Sequence, residues 1–97
     1  GAAQLRPHVR TLSAIADTLI MVYPNAGLPN ELGAYDELPA TTAALVGEWA
    51  DAGQVNILGG CCGSTPAHIA AMAAMAANKP PRALPDVPVR TRLAGLE

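Results

Sequence analysis

The stretch Thr18 to Tyr23 reads Thr-Leu-Ile-Met-Val-Tyr, apolar almost without interruption and rich in strand-forming side chains. A strand with one wet face alternates polar and apolar; one without alternation is covered on both faces, as strands of parallel sheets are. Pro24 stops it. Before it, Leu5, Val9, Leu12 and Ala16 recur at helical spacing, with Ile15 on a neighbouring line, and predict an amphipathic helix over roughly the first sixteen residues. After it, a second helix is predicted from Pro39, suited to a first helical position, to Gly53, suited to a helix stop. Its buried stripe would be Thr42, Leu45, Val46, Trp49 and Ala52. Gln54 to Leu58 reads as the next strand. The last helix opens with Thr65 as N-cap and Pro66 in the first turn, with Ile69, Met72, Ala73 and Ala76 on one face. Helix, strand, helix, strand, helix is the order of α/β proteins with parallel sheets. Two strands do not make a stable sheet of that kind, so further strands are expected upstream, in either a (β/α)₈ barrel or an open doubly wound sheet.

Composition narrows the partners. The chain has 97 residues, 51% of them hydrophobic, and a formal charge of −2. Its six basic residues are scattered and its aromatic content is 3%, which argues against a nucleic-acid surface. Its apolar runs are short, which argues against a membrane span. Beyond Lys79 come Pro80, Pro81, Pro85 and Pro88 with three arginines and no periodicity, so residues 80–97 read as an extended linker whose arginines serve solubility. Residues 1–79 form the structured part. The start at Gly1 and the linker-like end read as an excerpt of a longer protein.

The only cysteines, Cys61 and Cys62, lie in the glycine-framed run Gly59-Gly60-Cys61-Cys62-Gly63 that follows the second strand. Neighbouring cysteines close a disulfide only through a strained ring. Two thiols in a glycine frame can instead turn toward one soft cation, zinc above all. Two sulfurs alone leave a tetrahedral site incomplete; the alternative is a pair of inert buried thiols. In both α/β architectures chemistry collects at the carboxyl ends of strands, and Asn25 follows the first strand as the cysteines follow the second. Neighbouring parallel strands lie about 4.8 Å apart, so an Asn25 amide oxygen could join the ligand set or simply hydrogen-bond its own turn. The intervening loop, Asn25 to Leu38, breaks both periodicities with glycines, prolines and asparagines.

Three runs carry a resemblance: Tyr23-Pro24-Asn25-Ala26-Gly27-Leu28-Pro29-Asn30, Gly33-Ala34-Tyr35-Asp36, and Val55-Asn56-Ile57-Leu58-Gly59-Gly60-Cys61-Cys62-Gly63-Ser64-Thr65-Pro66-Ala67-His68-Ile69. Together they resemble the homocysteine-binding domains of cobalamin-dependent methionine synthases. The opening Leu5-Arg6-Pro7-His8-Val9 and Leu12-Ser13-Ala14-Ile15-Ala16 fit the same family, and Arg92-Leu93-Ala94-Gly95-Leu96-Glu97 resembles its passage into a folate-binding domain. The double cysteine alone marks the wider homocysteine S-methyltransferase group, which includes betaine- and S-methylmethionine-dependent enzymes.

The resemblance implies the last part of a (β/α)₈ barrel: helix six, strand seven, helix seven, strand eight and helix eight. It implies zinc held by three cysteines, two matching Cys61 and Cys62 and the third expected just upstream of Gly1. It implies that Asn25 binds substrate or occupies the metal when substrate is absent. The implied reaction is methyl transfer from methylcobalamin to homocysteine in the cytoplasm, giving methionine. Cobalamin and folate would be bound by other domains of the same polypeptide, and the isolated chain would retain metal weakly.

The remaining residues have plainer readings. His68 is read as a solvated or a helix-end histidine rather than as a third metal ligand beside the cysteines, and His8 and Trp49 as helix surface and core. Met72 and Met75 lie on or beside the buried stripe. Tyr35 and Asp36 either shape a pocket or anchor their loop. Ser64 stands where the family more often has threonine. Leu38 precedes Pro39 where a hydroxyl cap would be expected, so the second helix should begin poorly or late. Besides another methyl donor, the rival reading is a non-catalytic zinc-binding α/β segment.

Overall fold

A computed structural model describes residues 1–85. The element order is α1 (Ala2–Ile15), β1 (Met21–Val22), α2 (Pro39–Asp51), β2 (Ile57–Leu58) and α3 (Pro66–Ala76). The two strands pair in parallel, Met21 opposite Ile57 and Val22 opposite Leu58. This is the expected alternation in an α/β chain. Both strands are shorter than the apolar runs that predict them, since regular pairing needs a partner and each has only one among the described residues.

Hydrogen bonds extend the pairing past both strands. Ile57, Gly59 and Cys61 donate their N–H groups to the carbonyls of Ile20, Val22 and Pro24 at 3.1, 3.0 and 2.9 Å. The even step of two residues is that of a parallel ladder. Its last rung is Cys61.

The core lies between this ladder and the helices: Ile20, Val22, Val46, Trp49, Val55 and Met72, with Ala2 and Val9 from α1. Trp49 and Val46 are fully enclosed. Helix α2 packs most extensively on α3, where Gly47 lets Met75 come within 3.3 Å of the position a Cβ would occupy. The opposite face of the strands is bare. Leu19, Met21, Tyr23 and Ile57 are exposed there, Met21 at 57% and its partner Ile57 at 47%.

Several expected faces shift. On α1, Val9 is buried and Leu5 partly so, while Leu12 and Ile15 point outward. On α2, Thr42, Val46 and Trp49 face the core as predicted; Leu45 is only partly covered and Ala52 is exposed beyond the helix end. On α3 the buried line passes through His68 and Met72 rather than Ile69 and Ala73: α3 packs chiefly on α2, and the Glu37 carbonyl meets His68. Gly53 adopts φ +64°, a left-handed conformation that suits glycine after a helix end.

Helix α2 begins at Pro39 despite its poor cap. Leu38 offers no side-chain oxygen; the Thr42 hydroxyl donates instead to the Glu37 carboxylate at 2.7 Å, and the Thr42 N–H reaches the Leu38 carbonyl at 3.0 Å.

For Arg82 the reading as a linker charge is corrected; Arg90 and Arg92 lie outside the described residues. Arg82 is 4% exposed, and its guanidinium donates to the carbonyls of Ser13 at 3.2 and 3.0 Å, Thr18 at 2.9 Å and Ala16. These are the last carbonyls of α1 and of the turn into β1, which lack intrahelical partners and carry the negative end of the helix dipole. Its own backbone is held too: the Arg82 N–H donates to the Val55 carbonyl at 3.0 Å, and its carbonyl accepts from Asn56 Nδ2 at 2.8 Å. Asn56 Oδ1 accepts in turn from the Ile20 N–H at 2.9 Å. The chain after α3 is thereby fastened beneath both strands. Residues 86–97 of the predicted linker, with Pro88 and the closing Arg92-to-Glu97 segment, lie outside the described residues.

Candidate functional site

Cys61 and Cys62 are free and exposed, so they are not buried inert thiols. The glycines around them have physical reasons. A Cβ at Gly60 would overlap the Ser64 hydroxyl, and Gly63 has φ +81° with Tyr35 pressed against its Cα. At Gly63 the left-handed backbone and the neighbour both exclude a side chain. The turn closes through the Ser64 N–H to the Cys61 carbonyl at 3.1 Å, leaving the Ser64 hydroxyl buried without a hydrogen-bond partner among the described residues.

Asn25 meets the cysteines directly. Its Oδ1 accepts from the Cys62 N–H at 3.0 Å, while the Ala26 N–H donates to the Cys62 carbonyl at 2.9 Å. The side-chain oxygen offered by sequence as a ligand thus has a backbone partner in the cysteine loop itself. The loops after β1 and β2 converge, as the strand-end rule requires.

The loop between Asn25 and Leu38 is internally built. Asn30 accepts at Oδ1 from the N–H groups of Leu32 and Ala34 and donates from Nδ2 to the Asp36 carboxylate at 3.0 Å. Pro29 and Tyr35 form an antiparallel bridge. Asp36 is therefore a loop anchor, whereas Tyr35 lies beside the sulfurs. Partial burial raises the Tyr35 phenol above its ordinary pKa of 10.0, and the negative charge and hydrogen bonding of Cys62, then the charge of Cys61, act in the same direction.

His68 is not solvated: it is 5% exposed. Its Nδ1 lies 2.8 Å from Thr65 Oγ1 and accepts from the Thr65 N–H at 3.2 Å, and its Nε2 lies 2.6 Å from the Glu37 carbonyl oxygen. The Thr65 hydroxyl accepts from the His68 N–H, completing a reciprocal cap on α3. The pattern Thr-x-x-His is the legible signal for this cap, with histidine in the position glutamate usually takes.

Among the described residues, no group of three His, Cys, Asp or Glu side chains converges to hold a metal ion, and no helix is long and apolar enough to cross a membrane. The two thiols lie side by side and exposed on the loop that follows β2. The family model described as homocysteine S-methyltransferase matches residues 2–76, which includes every element of the fold and the whole cysteine loop. The chain belongs to the homocysteine S-methyltransferase family, methyltransferases that act on homocysteine.

Proposed function

We propose that this chain is the carboxyl-terminal part of a (β/α)₈ barrel in which Cys61 and Cys62 supply two of three thiolates to a zinc site that binds homocysteine. The observation that carries the proposal is the pair of free, exposed thiols at the carboxyl end of a parallel ladder whose last rung is Cys61. The bare apolar strand face supports the barrel, since a barrel interior would cover Met21 and Ile57.

The missing third thiolate has a natural origin. A Cβ at Gly1 would lie 2.7 Å from the Gly27 Cα, so the chain preceding α1 arrives beside the loop that carries Asn25. A cysteine a few residues upstream of Gly1 would sit at the same strand-end layer.

Homocysteine is a thiol, mostly protonated at neutral pH and a weak nucleophile in that form. Bound zinc would stabilise its thiolate, and a set already rich in thiolates would leave that sulfur electron-rich. The chain's own residues prepare the place. Asn25 holds the Cys62 backbone, the glycines let both thiols face outward, and Tyr35 borders the Cys62 sulfur. The thiolate sulfur would then attack the methyl carbon of the donor, the electron pair of the broken donor–carbon bond staying on the donor, and methionine would result.

Cobalamin-dependent methionine synthase is the proposed context, with cobalamin and folate bound on other domains, because the Pro24-to-Asn30 loop follows that enzyme's pattern. Exposed free thiols suit a reducing compartment, hence the cytoplasm. The test uses the full-length protein. One zinc per chain is expected, with close to one proton released on homocysteine binding, measured calorimetrically in buffers of different ionisation enthalpy. Homocysteine bound without zinc, or without proton release, would sink the proposal. Methionine formed from betaine or S-methylmethionine, but not from methylcobalamin, would move the protein to another branch of the family.

A further inference from the structure

His68 has no part in the chemistry above, yet it is among the few buried polar side chains of the described chain, and its bonds fix its state. A carbonyl oxygen only accepts, so the contact between Nε2 and the Glu37 oxygen requires the hydrogen on Nε2. A backbone N–H only donates, so the Thr65 contact requires a lone pair on Nδ1. Both demands select the same neutral tautomer. The ring is a rigid strut from the start of α3, just past the cysteine loop, to the far end of the 25–38 loop.

Side-chain hydrogen bonds fasten both ends of that loop to the cysteine side. Asn25 fastens its beginning to Cys62, and His68 fastens its end at Glu37. Between them the Asn30 network and the Pro29–Tyr35 bridge make a stiff span, with Tyr35 seated on Gly63. Adjoining Glu37 is held as well, its carboxylate accepting from Thr42 and packing on Gly27. Releasing the His68 end would let the span lift from the thiols while leaving the Asn25 end in place.

We infer that His68 is a positioning residue for the homocysteine site: by pinning the Glu37 carbonyl it holds the 25–38 loop, and Tyr35 with it, over the cysteine pair. The inference rests on the homocysteine-binding reading for its kinetic consequence, though not for the pin itself. A neutral hydrogen bond contributes on the order of 1 kcal/mol, roughly fivefold in an equilibrium.

The experiment compares His68→Ala and His68→Gln in the full-length protein. Glutamine can present an N–H near the place of Nε2 and so restore the bond to Glu37. In H68A, amide hydrogen exchange across residues 30–37 should quicken roughly fivefold, with KM for homocysteine raised by a similar factor, kcat changed far less and zinc content kept. H68Q should return both exchange and KM most of the way. Unchanged exchange in H68A, or H68Q no better than H68A, would overturn the inference. Should neither variant fold, the wild-type ring decides: nitrogen-15 spectra must show a protected Nε2–H and an unprotonated Nδ1, and the opposite tautomer or a fast-exchanging ring refutes the strut. A wild-type protein without zinc would remove the functional reading, while the exchange difference between the two variants still judges the pin.

Discussion

The two ends of the parallel strands are built on opposite principles. At the carboxyl ends, exposed thiols sit on glycines and are positioned by backbone bonds, with Asn25 and Tyr35 beside them. At the amino ends a single guanidinium is buried and held by three carbonyl groups, with Asn56 completing the fastening. One end leaves its thiols free for something to bind; the other spends four of the five guanidinium N–H groups on the chain's own carbonyls. The contrast is what α/β folds show generally, with chemistry at the carboxyl ends and stability carried elsewhere.

Substitutions should separate the two ends. The largest effect is expected for Cys61→Ala or Cys62→Ala, which should lower homocysteine methylation by more than the roughly 10–100-fold typical of changes outside the ligand set. Thermal denaturation of the metal-free protein should barely shift, because both side chains are exposed. A large loss of metal-free stability would mean that the cysteine end is structural after all.

Arg82→Ala should do the reverse. Losing several charge-assisted bonds from a buried guanidinium should cost about 3 kcal/mol in denaturant unfolding, while zinc content and homocysteine KM of the folded fraction stay near wild type. A KM shift with unchanged stability would reverse the assignment of the two ends.

Gly63→Ala is a finer probe. The left-handed backbone makes alanine costly by about 1–2 kcal/mol, and its methyl would collide with Tyr35. The expected readout is a raised homocysteine KM together with a modest drop in melting temperature.

The smallest effect concerns pH. The Tyr35 pKa is raised above 10.0 in the folded state, so the neutral phenol is the form folding prefers. Its contribution is fully present below the unfolded value and is lost as pH rises through the folded one. Tyr35→Phe should therefore leave activity unchanged in its pH dependence from 7 to 9, and should weaken the alkaline loss of stability above about pH 10. A difference absorbance titration showing Tyr35 ionised below pH 10 would contradict this.

The cysteine end was largely legible in the sequence because its signals are local. Glycines frame the thiols, Thr65-Pro66 announces α3, and Pro24 ends the first apolar run close to where the loop begins. The amino end was not. Arg82 reads as a linker charge because its partners lie 64–69 residues away, and nothing adjacent to it marks them. For His68 the helix-end reading holds and the solvated one fails, for a related reason. Its cap on Thr65 is local, but the contact that buries it comes from Glu37, across a loop whose path periodicity does not describe. The strand lengths were overread, since apolar runs report burial whereas regular pairing reports neighbours.

The distance between Arg82 and its partners also sets an order of events. The carbonyl of Ser13 is made long before the guanidinium that will occupy it, and at about 5–20 residues per second the interval during synthesis is several seconds or more. Throughout that time the end of α1 and the entry to β1 lack their cap, with Leu12, Ile15 and Leu19 uncovered nearby. A contact of such sequence separation forms late in refolding for the same entropic reason. The nascent chain thus reaches its cysteine loop before its foundation is closed, and truncation just before residue 82 should yield a chain that holds both thiols yet aggregates.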